Sequence, residues 1–369
     1  MKIGFVTLYE HNYGSALQAF ATKAFLEDNH IETHLIKNKR QPKVVNRLRL
    51  VLFCLFHLKS SKKILNILNS QRSKNQLLSL QSELCIKRFI ETRLKPISID
   101  KISKQNMNTF DYFLTGSDQV WNGFYVVDQF YFLLFADKKK RVAWAPSFGS
   151  KKIAEYNKKR YKKYINAFNK LSVREQSGKQ IIGELCQNKI VDVLSDPVIV
   201  LTKDRWIELL NINVPTDRKK HVFCLFLNEP SHSALSYIKS LKAFSDYDFL
   251  TIGYGHQSLK DLGVNVYDGG PDMFVENVFS SSIVLTDSFH AMVFALISHT
   301  PFQVFERQYT HSQNQSVRII DFLSECSLLD RLEPNSVDKW GEIDFTKFDT
   351  ICEAKRTAFK KYLLSLTNE

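Results

Sequence analysis

The stretch "TDSFHAMVFALISHTPFQVFE", residues 286–306, contains the end of an apolar strand, a helix and the next strand. Asp287, Ser288 and His290 lie where the helix begins. In proteins that alternate strands and helices, ligands collect at such helix openings. Two interpretations are open. A neutral His290 could donate a proton and its imidazolium would attract a phosphate, or the ring is a polar residue satisfied by Asp287.

Apolar strands alternate with helical segments on both sides of this stretch. The predicted strands are 2–8, 31–36, 111–116 and 141–148, then 221–227, 248–254, 282–288 and 301–306. This alternation predicts an α/β fold with mainly parallel sheets, arranged as two αβα domains that face a cleft. We expect the first domain over 1–210, the second over 221–335, a linker at 211–220 and a C-terminal helix within 345–369.

The composition is that of a folded protein with more than one domain. The chain has 369 residues, of which 44% are hydrophobic and 24% charged. Its six cysteines show no CxxC and no His/Cys pairing at zinc spacing. That pattern argues against a disulfide framework and a metal site and fits a reducing compartment. Because the first residues read as a strand and not as a signal peptide, we expect a cytoplasmic protein.

The net charge of +13 suits anionic partners. Residues 33–82 contain no Asp or Glu, and they overlap a basic, predicted helical insertion in the first domain at about 38–95. The apolar run "LRLVLFCLFHLK" (48–59) inside it is far short of the roughly 20 residues that span a bilayer. Either this helix lies on an anionic membrane surface, or its apolar face packs on the domain. No nucleic-acid-binding signature is present, so we expect no nucleic acid partner.

Two strand-to-helix loops of the first domain suit a sugar. In "NYGSALQ" (12–18), Gly14 would let backbone amides approach a ligand, although a tight turn with Ser15 as N-cap explains it as well. In "LTGSDQVWN" (114–122), polar side chains neighbour the indole of Trp121. Hydroxyl partners and a flat apolar face are what a carbohydrate needs, and Asp118 could act as a general base. The alternative is an Asx-type turn with a buried Trp.

Two arginines suit an anion. Arg174 follows a short apolar strand in "LSVREQSG" (171–178), where it is either a bidentate donor or the partner of Glu175 in a structural pair. Ser316 and Arg318 open another predicted helix in "NQSVRII" (314–320). A further predicted strand ends in "WAPSFGS" (144–150). In a parallel sheet, Ser147 would lie at the same edge as the other strand ends. A helix rich in lysine and tyrosine follows at about 152–169.

Taken in order, seven stretches resemble the polysaccharide pyruvyl transferase family. They are "NYGSALQAFA", "DYFLTGSDQVWN", "AWAPSFG", "LSVREQSG", "VLSDPVIVL", "LTDSFHAMVFAL" and "NQSVRIIDFL". The resemblance spans 12–323 and implies two Rossmann-like domains similar to the GT-B glycosyltransferases. It also implies phosphoenolpyruvate as donor, a glycan hydroxyl pair as acceptor, a pyruvate ketal as product and release of phosphate. No cofactor is expected besides phosphoenolpyruvate as co-substrate.

The resemblance assigns donor recognition and catalysis to Arg174 and His290. Other members carry an Arg where this chain has Ser288, so Arg318 is expected to supply that charge. The expected catalytic residues are His290, Arg174 and Asp118, and the expected donor-binding residues are Arg174, Ser288, His290, Ser316 and Arg318. We expect the first domain to bind the acceptor through Tyr13, Gly14, Gln18, Asp118, Gln119, Trp121, Asn122 and Ser147.

Two other functions remain open. A glycosyltransferase of the same shape would use a nucleotide sugar, and a non-catalytic phosphoglycan-binding protein would bind without releasing phosphate. For the pyruvyl transferase, a lipid-linked acceptor in bacterial capsule or exopolysaccharide biosynthesis would explain the basic apolar helix. That interpretation predicts peripheral attachment to the inner face of the cell membrane.

Overall fold

The computed structural model describes residues 1–10, 12–38, 78–124, 127–217, 219–307, 317–334, 336–337 and 341–367. Residues 39–77 of the predicted basic insertion, including the apolar run 48–59, lie outside the described residues, and so does Ser316. The prediction of membrane contact through that run therefore stays a prediction. Among the described residues, no helix is both long and apolar enough to cross a bilayer.

Five parallel strands form the first sheet as far as the structure describes it. They are β1 (Lys2–Val6), β2 (Glu32–Lys37), β3 (Ile97–Ser98), β4 (Tyr112–Thr115) and β5 (Arg141–Ala143). Their spatial order is β3-β2-β1-β4-β5, so β1 is central. Its sequence KIGFV is buried at every position but the first, as expected for a parallel strand covered on both faces. A short parallel pair, β6 (Ser172–Val173) and β7 (Asp192–Val193), extends this half beyond β5.

Helices accompany these strands. Those in the described residues are α1 (Tyr13–Asp28), α2 (Leu80–Phe89), α3 (Lys104–Asn108), α4 (Glu155–Ile165), α5 (Gln176–Leu185) and α6 (Lys203–Leu210). Helix α1 begins at a capping box: the Asn12 side chain accepts a hydrogen bond from the Ser15 N–H, and Ser15 Oγ accepts one from the Asn12 N–H. The N-cap is therefore Asn12, and the alternative that Ser15 is the N-cap is wrong.

A second parallel sheet repeats the same strand order. Its strands are β8 (Lys219–Leu225), β9 (Asp248–Ile252), β10 (Asn265–Tyr267), β11 (Ser281–Thr286) and β12 (Phe302–Val304), in the order β10-β9-β8-β11-β12. Its helices are α7 (His232–Phe244), α8 (Gln257–Asp261), α9 (Pro271–Ser280), α10 (Phe289–Ile297), α11 (Val317–Glu325) and α12 (Thr346–Thr367). In both sheets the strand order reverses beside the central strand, where open α/β sheets bind ligands.

The alternation predicted from the sequence is confirmed, with differences in detail. The short edge strands β3 and β10 have no counterpart among the predicted strands, because two or three residues are too few to show a period. The strand predicted at 141–148 ends at Ala143, and Ala145 then takes a left-handed conformation with φ 51°. Strand β8 begins at Lys219, inside the predicted linker.

The described end of the basic insertion is helical, as predicted, and packs on the protein. Helix α2 continues as a π-helical turn at Ile90–Leu94. Ile86, Phe89 and Leu94 are buried, and the Phe89 ring lies 5.4 Å from that of Phe20 in α1. This described part therefore packs on the domain, and the two interpretations of the apolar run 48–59 stay open.

The two halves share one hydrophobic core. Tyr13 of α1 stacks on Phe274 of α9 with 5.6 Å between ring centroids, and Trp206 of α6 meets Phe294 of α10 at 4.9 Å. Helix α12 then returns from the second half to the first. Its Tyr362 hydroxyl donates to the Ala143 carbonyl oxygen at 2.8 Å. The chain therefore crosses back between the halves at its C-terminal end, and the apolar contacts hold them together.

We predict that Phe359→Ala in α12 lowers the free energy of unfolding by about 3–5 kcal/mol, the usual loss for a buried aromatic ring. Phe359 is fully buried, and its ring lies 5.2 Å from Trp144 and 6.1 Å from Phe25. Denaturant unfolding would measure the loss. Leu364→Ala is the matched control, because Leu364 is 60% exposed on the same helix and should change little. Equal effects of the two substitutions would contradict the docking of α12.

Candidate functional site

The first turn of α1 lies against the first turn of α10, across the two halves. A Cβ atom added to Gly14 would lie 2.2 Å from Nδ1 and 2.4 Å from Cγ of His290. Any larger residue at position 14 would overlap the imidazole, so this approach requires glycine. Gly14 was expected on the acceptor side and His290 on the donor side, and the structure brings the two into contact.

A buried carboxylate, that of Asp196, lies between Arg174 and His290. Its Oδ2 is 2.6 Å from Arg174 Nη1 and 3.3 Å from His290 Nε2, and the side chain has no exposed surface. Its Oδ1 accepts a hydrogen bond from the Val198 N–H at 3.0 Å. Arg174 follows β6 in the first half and His290 belongs to the second. The carboxylate therefore joins one functional residue from each half.

The charge of Asp196 is fixed by its neighbours. Burial raises the pKa of this carboxyl, because a low-dielectric environment disfavours the ionised form. The positive charge of Arg174, followed by that of His290, outweighs burial and holds the pKa of Asp196 well below its usual range. Asp196 is therefore ionised at neutral pH, and it faces the Arg174 guanidinium and the His290 ring.

Two guanidinium groups lie at one aromatic ring. Cζ of Arg174 is 4.6 Å and Cζ of Arg318 is 5.5 Å from the centroid of Phe289. Within the described part of the chain, Nη2 of Arg174 and both Nε and Nη1 of Arg318 are shielded from solvent without a hydrogen-bond acceptor. Arg174 Nη1 is close to Asp196, but its N–H does not point at the oxygen. Because buried donors normally have acceptors, these groups are suited to an anion.

The electrostatics around Arg318 favour an anion as well. The pKa of Arg318 is lowered to about 10, first by burial and next by the charge of Arg174. Asp118 and Glu175 are close enough to oppose that shift, whereas Arg307 adds to it. Two like charges held close together repel one another, so an anion bound between Arg174 and Arg318 would relieve the repulsion.

Glu175 supplies a carboxylate oxygen to the same region. Its Oε1 accepts hydrogen bonds from Ser147 Oγ and from the Phe148 N–H, both at 2.9 Å. Its Oε2 is shielded from solvent and has no donor in the described ranges. The hydroxyl of Ser147, a predicted acceptor-binding residue, is therefore already hydrogen-bonded to Glu175. The alternative of a structural Arg174–Glu175 pair is wrong, because Arg174 is bound to Asp196.

Asp118 begins the turn after β4 in a left-handed conformation, with φ 55°. Its Oδ1 accepts a hydrogen bond from the Gln119 N–H at 2.8 Å, and the residue is half-buried. Gln119 and Asn122 bind each other, since the Asn122 amide donates to Gln119 Oε1 at 3.0 Å. The Asn122 side chain also accepts a hydrogen bond from the Phe124 N–H at 3.2 Å, which makes the end of this loop an Asx-type turn. Of these residues, Asp118 acts on Arg318.

Trp121 does not offer a face to a sugar. The side chain is fully buried, and its ring stacks on Phe132 with 5.5 Å between centroids and 4° between planes. Its Nε1 donates to the Tyr131 carbonyl oxygen. The prediction that Trp121 binds the acceptor is therefore wrong, and the alternative of a buried Trp is correct. An indole in a loop sequence gives no sign of which aromatic rings will surround it.

Tyr13 and Gln18 are also internal. The Tyr13 hydroxyl donates to the Gly269 carbonyl oxygen at 3.1 Å, and the residue is 1% exposed. Gln18 is fully buried, and its Nε2 donates to Thr7 Oγ1 at 2.9 Å and to the Leu8 carbonyl oxygen at 2.7 Å. Their prediction as acceptor-binding residues is wrong, because both side chains connect backbone segments inside the core.

Ser288 is the N-cap of α10. Its Oγ accepts a hydrogen bond from the Ala291 N–H at 3.4 Å, and the residue is buried. The predicted donor-binding role is not supported by this contact, which fixes the helix end and thereby the position of His290. Ser316, the other predicted donor-binding serine, lies outside the described residues and stays a prediction.

The geometry agrees with a comparison against protein families. A profile of the family described as polysaccharide pyruvyl transferase matches residues 12–309. The chain belongs to that family. The match covers Arg174, Asp196 and His290, so the resemblance seen in the sequence motifs is confirmed.

The solved structures to which the chain is similar are distant from it in sequence. A mutant of Staphylococcus aureus TarM in complex with fondaparinux, α-GlcNAc-glycerol and UDP is 11% identical, with 100% of both chains covered and a TM-score of 0.51. Neisseria meningitidis UDP-GlcNAc 2-epimerase bound to UDP-GlcNAc is 12% identical over 100% of both chains, with a TM-score of 0.45. Escherichia coli heptosyltransferase WaaC with ADP is 10% identical over 84% of this chain and 88% of that one, at 0.40.

These likenesses concern the fold alone. The likeness to TarM, together with the two parallel sheets, confirms the expected α/β architecture of two Rossmann-like units in the GT-B manner. None of the curated proteins compared matches the chain.

One cation of this chain was not predicted from the sequence. Arg307 follows β12 and donates from Nε to Asp287 Oδ2 at 3.0 Å and from Nη2 to the Asp287 carbonyl oxygen at 2.8 Å. Asp287 also accepts the Leu227 N–H at 2.7 Å. The alternative that Asp287 satisfies His290 is therefore wrong. A charged residue directly after the strand 301–306 was the available signal.

Other sites are weaker candidates. A depression of about 840 Å³ lies at the amino ends of the first sheet's strands, beside Lys2, Glu32 and Asp111. The side chains described above lie after the carboxyl ends of the strands, which is where open α/β sheets bind ligands. In the ranges that the structure describes, no group of three His, Cys, Asp or Glu side chains could hold a metal ion.

We predict that Gly14→Ala displaces the His290 ring from Asp196 and costs about 1–3 kcal/mol through overpacking. The added Cβ would otherwise lie 2.2 Å from His290 Nδ1. Nitrogen NMR of the histidine side chains would detect the changed environment of His290. Gly183→Ala is the control, because a Cβ there meets nothing within 4 Å. Unchanged His290 resonances in Gly14→Ala would contradict the contact.

We predict that Asp196→Asn lowers the free energy of unfolding at pH 7 by about 3–5 kcal/mol, because Arg174 loses its buried counter-charge. Since the pKa of Asp196 is lowered by folding, its contribution is present above the pKa of an unfolded aspartate and is lost as pH falls toward the folded value. The difference between the variant and the natural protein should therefore shrink in acid. Urea unfolding from neutral to acidic pH measures this difference in the free energy of unfolding. If the difference did not change with pH, Asp196 would not be ionised in the folded protein.

Proposed function

We propose that this chain transfers the pyruvyl group of phosphoenolpyruvate to two hydroxyls of a hexose in a glycan. The product would be a cyclic pyruvate ketal, and phosphate would be released. Membership of the polysaccharide pyruvyl transferase family supports the reaction class. The observation that carries the donor assignment is the pair of arginines at Phe289, whose buried N–H groups lack acceptors among the described residues.

Phosphoenolpyruvate carries a carboxylate beside a phosphate, so two neighbouring guanidinium groups match its two anionic groups. Arg174 is held in place by Asp196, and Arg318 projects from α11. Because both groups are buried, their attraction for the donor is stronger than it would be in water. In this proposal, Arg174 and Arg318 bind the donor and stabilise the charge that develops on the departing phosphate.

Ketal formation begins with a proton. The methylene carbon of the donor must gain one, which leaves oxocarbenium character on the adjacent carbon. His290 is the candidate proton donor, because it lies in the first turn of α10, next to Phe289 where the two guanidinium groups meet, and its Nε2 is 3.3 Å from Asp196 Oδ2. Because Nε2 faces Asp196, the proton that His290 donates would leave from Nδ1, on the edge of the ring that lies toward Gly14.

The two acceptor hydroxyls must each lose a proton. The first attacks the oxocarbenium carbon, and the second attacks the same carbon after phosphate departs and closes the ring. One of the two hydroxyl protons leaves with the phosphate. The other returns to the general acid and replaces the proton that the methylene carbon took up to become a methyl group. Asp118 and the Oε2 atom of Glu175 are carboxylate groups near Arg318 that can accept them.

The acceptor and the cellular setting belong to the same proposal. A glycan of a bacterial capsule or exopolysaccharide is the acceptor class that the family suggests. Such repeat units are expected on a lipid carrier at the inner face of the cell membrane. In that setting, phosphoenolpyruvate from the cytoplasm would meet a membrane-bound acceptor.

We predict that His290→Gln lowers kcat for acceptor-dependent phosphate release by about 100-fold or more, the usual contribution of a general acid. The assay would follow phosphate from phosphoenolpyruvate with galactoside, mannoside and glucuronoside acceptors, and mass spectrometry would detect one added pyruvyl ketal. His232→Gln is the matched control, because His232 is exposed at the start of α7.

Full turnover by His290→Gln would overturn its role. Acceptor-dependent turnover of a nucleotide sugar, with no use of phosphoenolpyruvate, would instead identify a glycosyltransferase. Binding of donor and glycan without any release of phosphate would identify a non-catalytic binding protein.

A further inference from the structure

A strongly basic surface covers α4 and the loop before it. Residues 151–163 contain seven basic side chains and one acidic one, Glu155, which pairs with Lys158 at 2.5 Å. The exposed cations of this stretch are Lys151, Lys152, Lys159, Arg160, Lys162 and Lys163, and we call them the basic face. Among the described residues, none of Lys159, Lys162 and Lys163 forms an ion pair. Their charges are therefore directed to solvent.

The basic face contains no exposed apolar side chain within 151–163, a stretch that the structure describes in full. Tyr161 and Ile165 of α4 are buried beneath it together with Asn157, whereas Tyr156 and Tyr164 are half-buried. A helix that lies in a membrane surface needs apolar side chains that enter the lipid. The basic face therefore fits a hydrated polyanion better than a membrane.

Helix α4 holds the loop that follows Asp118. The Tyr156 hydroxyl donates to the Phe124 carbonyl oxygen at 2.8 Å, and the Tyr161 hydroxyl donates to that of Asn122 at 3.0 Å. The Asn157 amide donates to the Gly123 carbonyl oxygen at 2.9 Å. These bonds come from the side of α4 that faces the protein, so the basic face on its exposed side is separated by the helix from the segment 122–124 that follows Asp118.

We propose that the basic face binds the part of the glycan acceptor that is already anionic, in particular repeat units that carry a pyruvate ketal. This inference rests on the proposed function for the identity of the polymer. Each ketal adds one carboxylate to a sugar, so a modified glycan is a polyanion. Charge complementarity with the basic face would keep that chain bound to the protein while the next hexose is modified.

The test uses the full chain with Lys159, Lys162 and Lys163 all changed to Glu. The probe is end-labelled oligogalacturonate at low salt, where exposed charges are least screened. We expect the triple variant to bind oligogalacturonate about tenfold or more weakly, because each exposed charge contributes a modest share. A neutral dextran fragment should bind neither protein.

The matched control changes Lys239, Lys360 and Lys361 to Glu, since these exposed lysines lie on α7 and α12 and the net charge falls equally. Equal losses in both variants, or none in either, would overturn the proposal. The proposal would also be overturned if the Lys159, Lys162 and Lys163 variant lost binding to phosphatidylglycerol vesicles or to RNA but bound oligogalacturonate as the natural protein does.

The two proposals can fail separately. Pyruvylation of a single hexoside should be the same for the triple variant and the natural protein, because a small acceptor does not reach the basic face. If oligogalacturonate binding depends on the face but the natural protein pyruvylates no acceptor, the proposed reaction is wrong and the polyanion surface stands. If pyruvylation occurs and binding is insensitive to the triple change, the surface proposal is wrong.

Discussion

The buried carboxylate of Asp196 is the constraint on which the site depends. A charge without solvent contact is costly unless it is paired, and here Arg174 and His290 provide the pairing. One partner comes from each half of the molecule. The interaction that offsets the cost of burying the Asp196 charge therefore also holds the two halves together at the site. The close approach of Gly14 to His290 then follows, since the ring cannot move away without leaving Asp196 less well paired.

Much of the fold could be predicted from the sequence because its central strands are buried on both faces. Strand β11, SSIVLT, is buried at all six positions, and an apolar run of that length between helices has few other interpretations. The edge strands β3 and β10 could not be predicted, since each has too few residues to show a period. Their position depends on neighbouring strands, not on their own composition.

The site was predictable in part. The sequence singles out Arg174, His290 and Arg318, which the structure brings together around Asp196 and Phe289, because a charged residue at the end of an apolar strand or the start of a helix has a physical reason to bind anions. Asp196 was missed as a partner because its contacts lie far away in the sequence and no local pattern reports them. Trp121 was misassigned for a related reason: its burial is decided by rings from several other segments.

Arg174 and Arg318, positioned with His290 around Asp196, are the proposed site for the donor phosphoenolpyruvate. A crystal structure of the protein with phosphoenolpyruvate bound tests it most directly. The account predicts that the carboxylate and phosphate oxygens accept hydrogen bonds from Arg174 Nη2 and from Arg318, with the methylene carbon facing His290. A donor bound elsewhere, with both guanidinium groups still lacking acceptors, would contradict it.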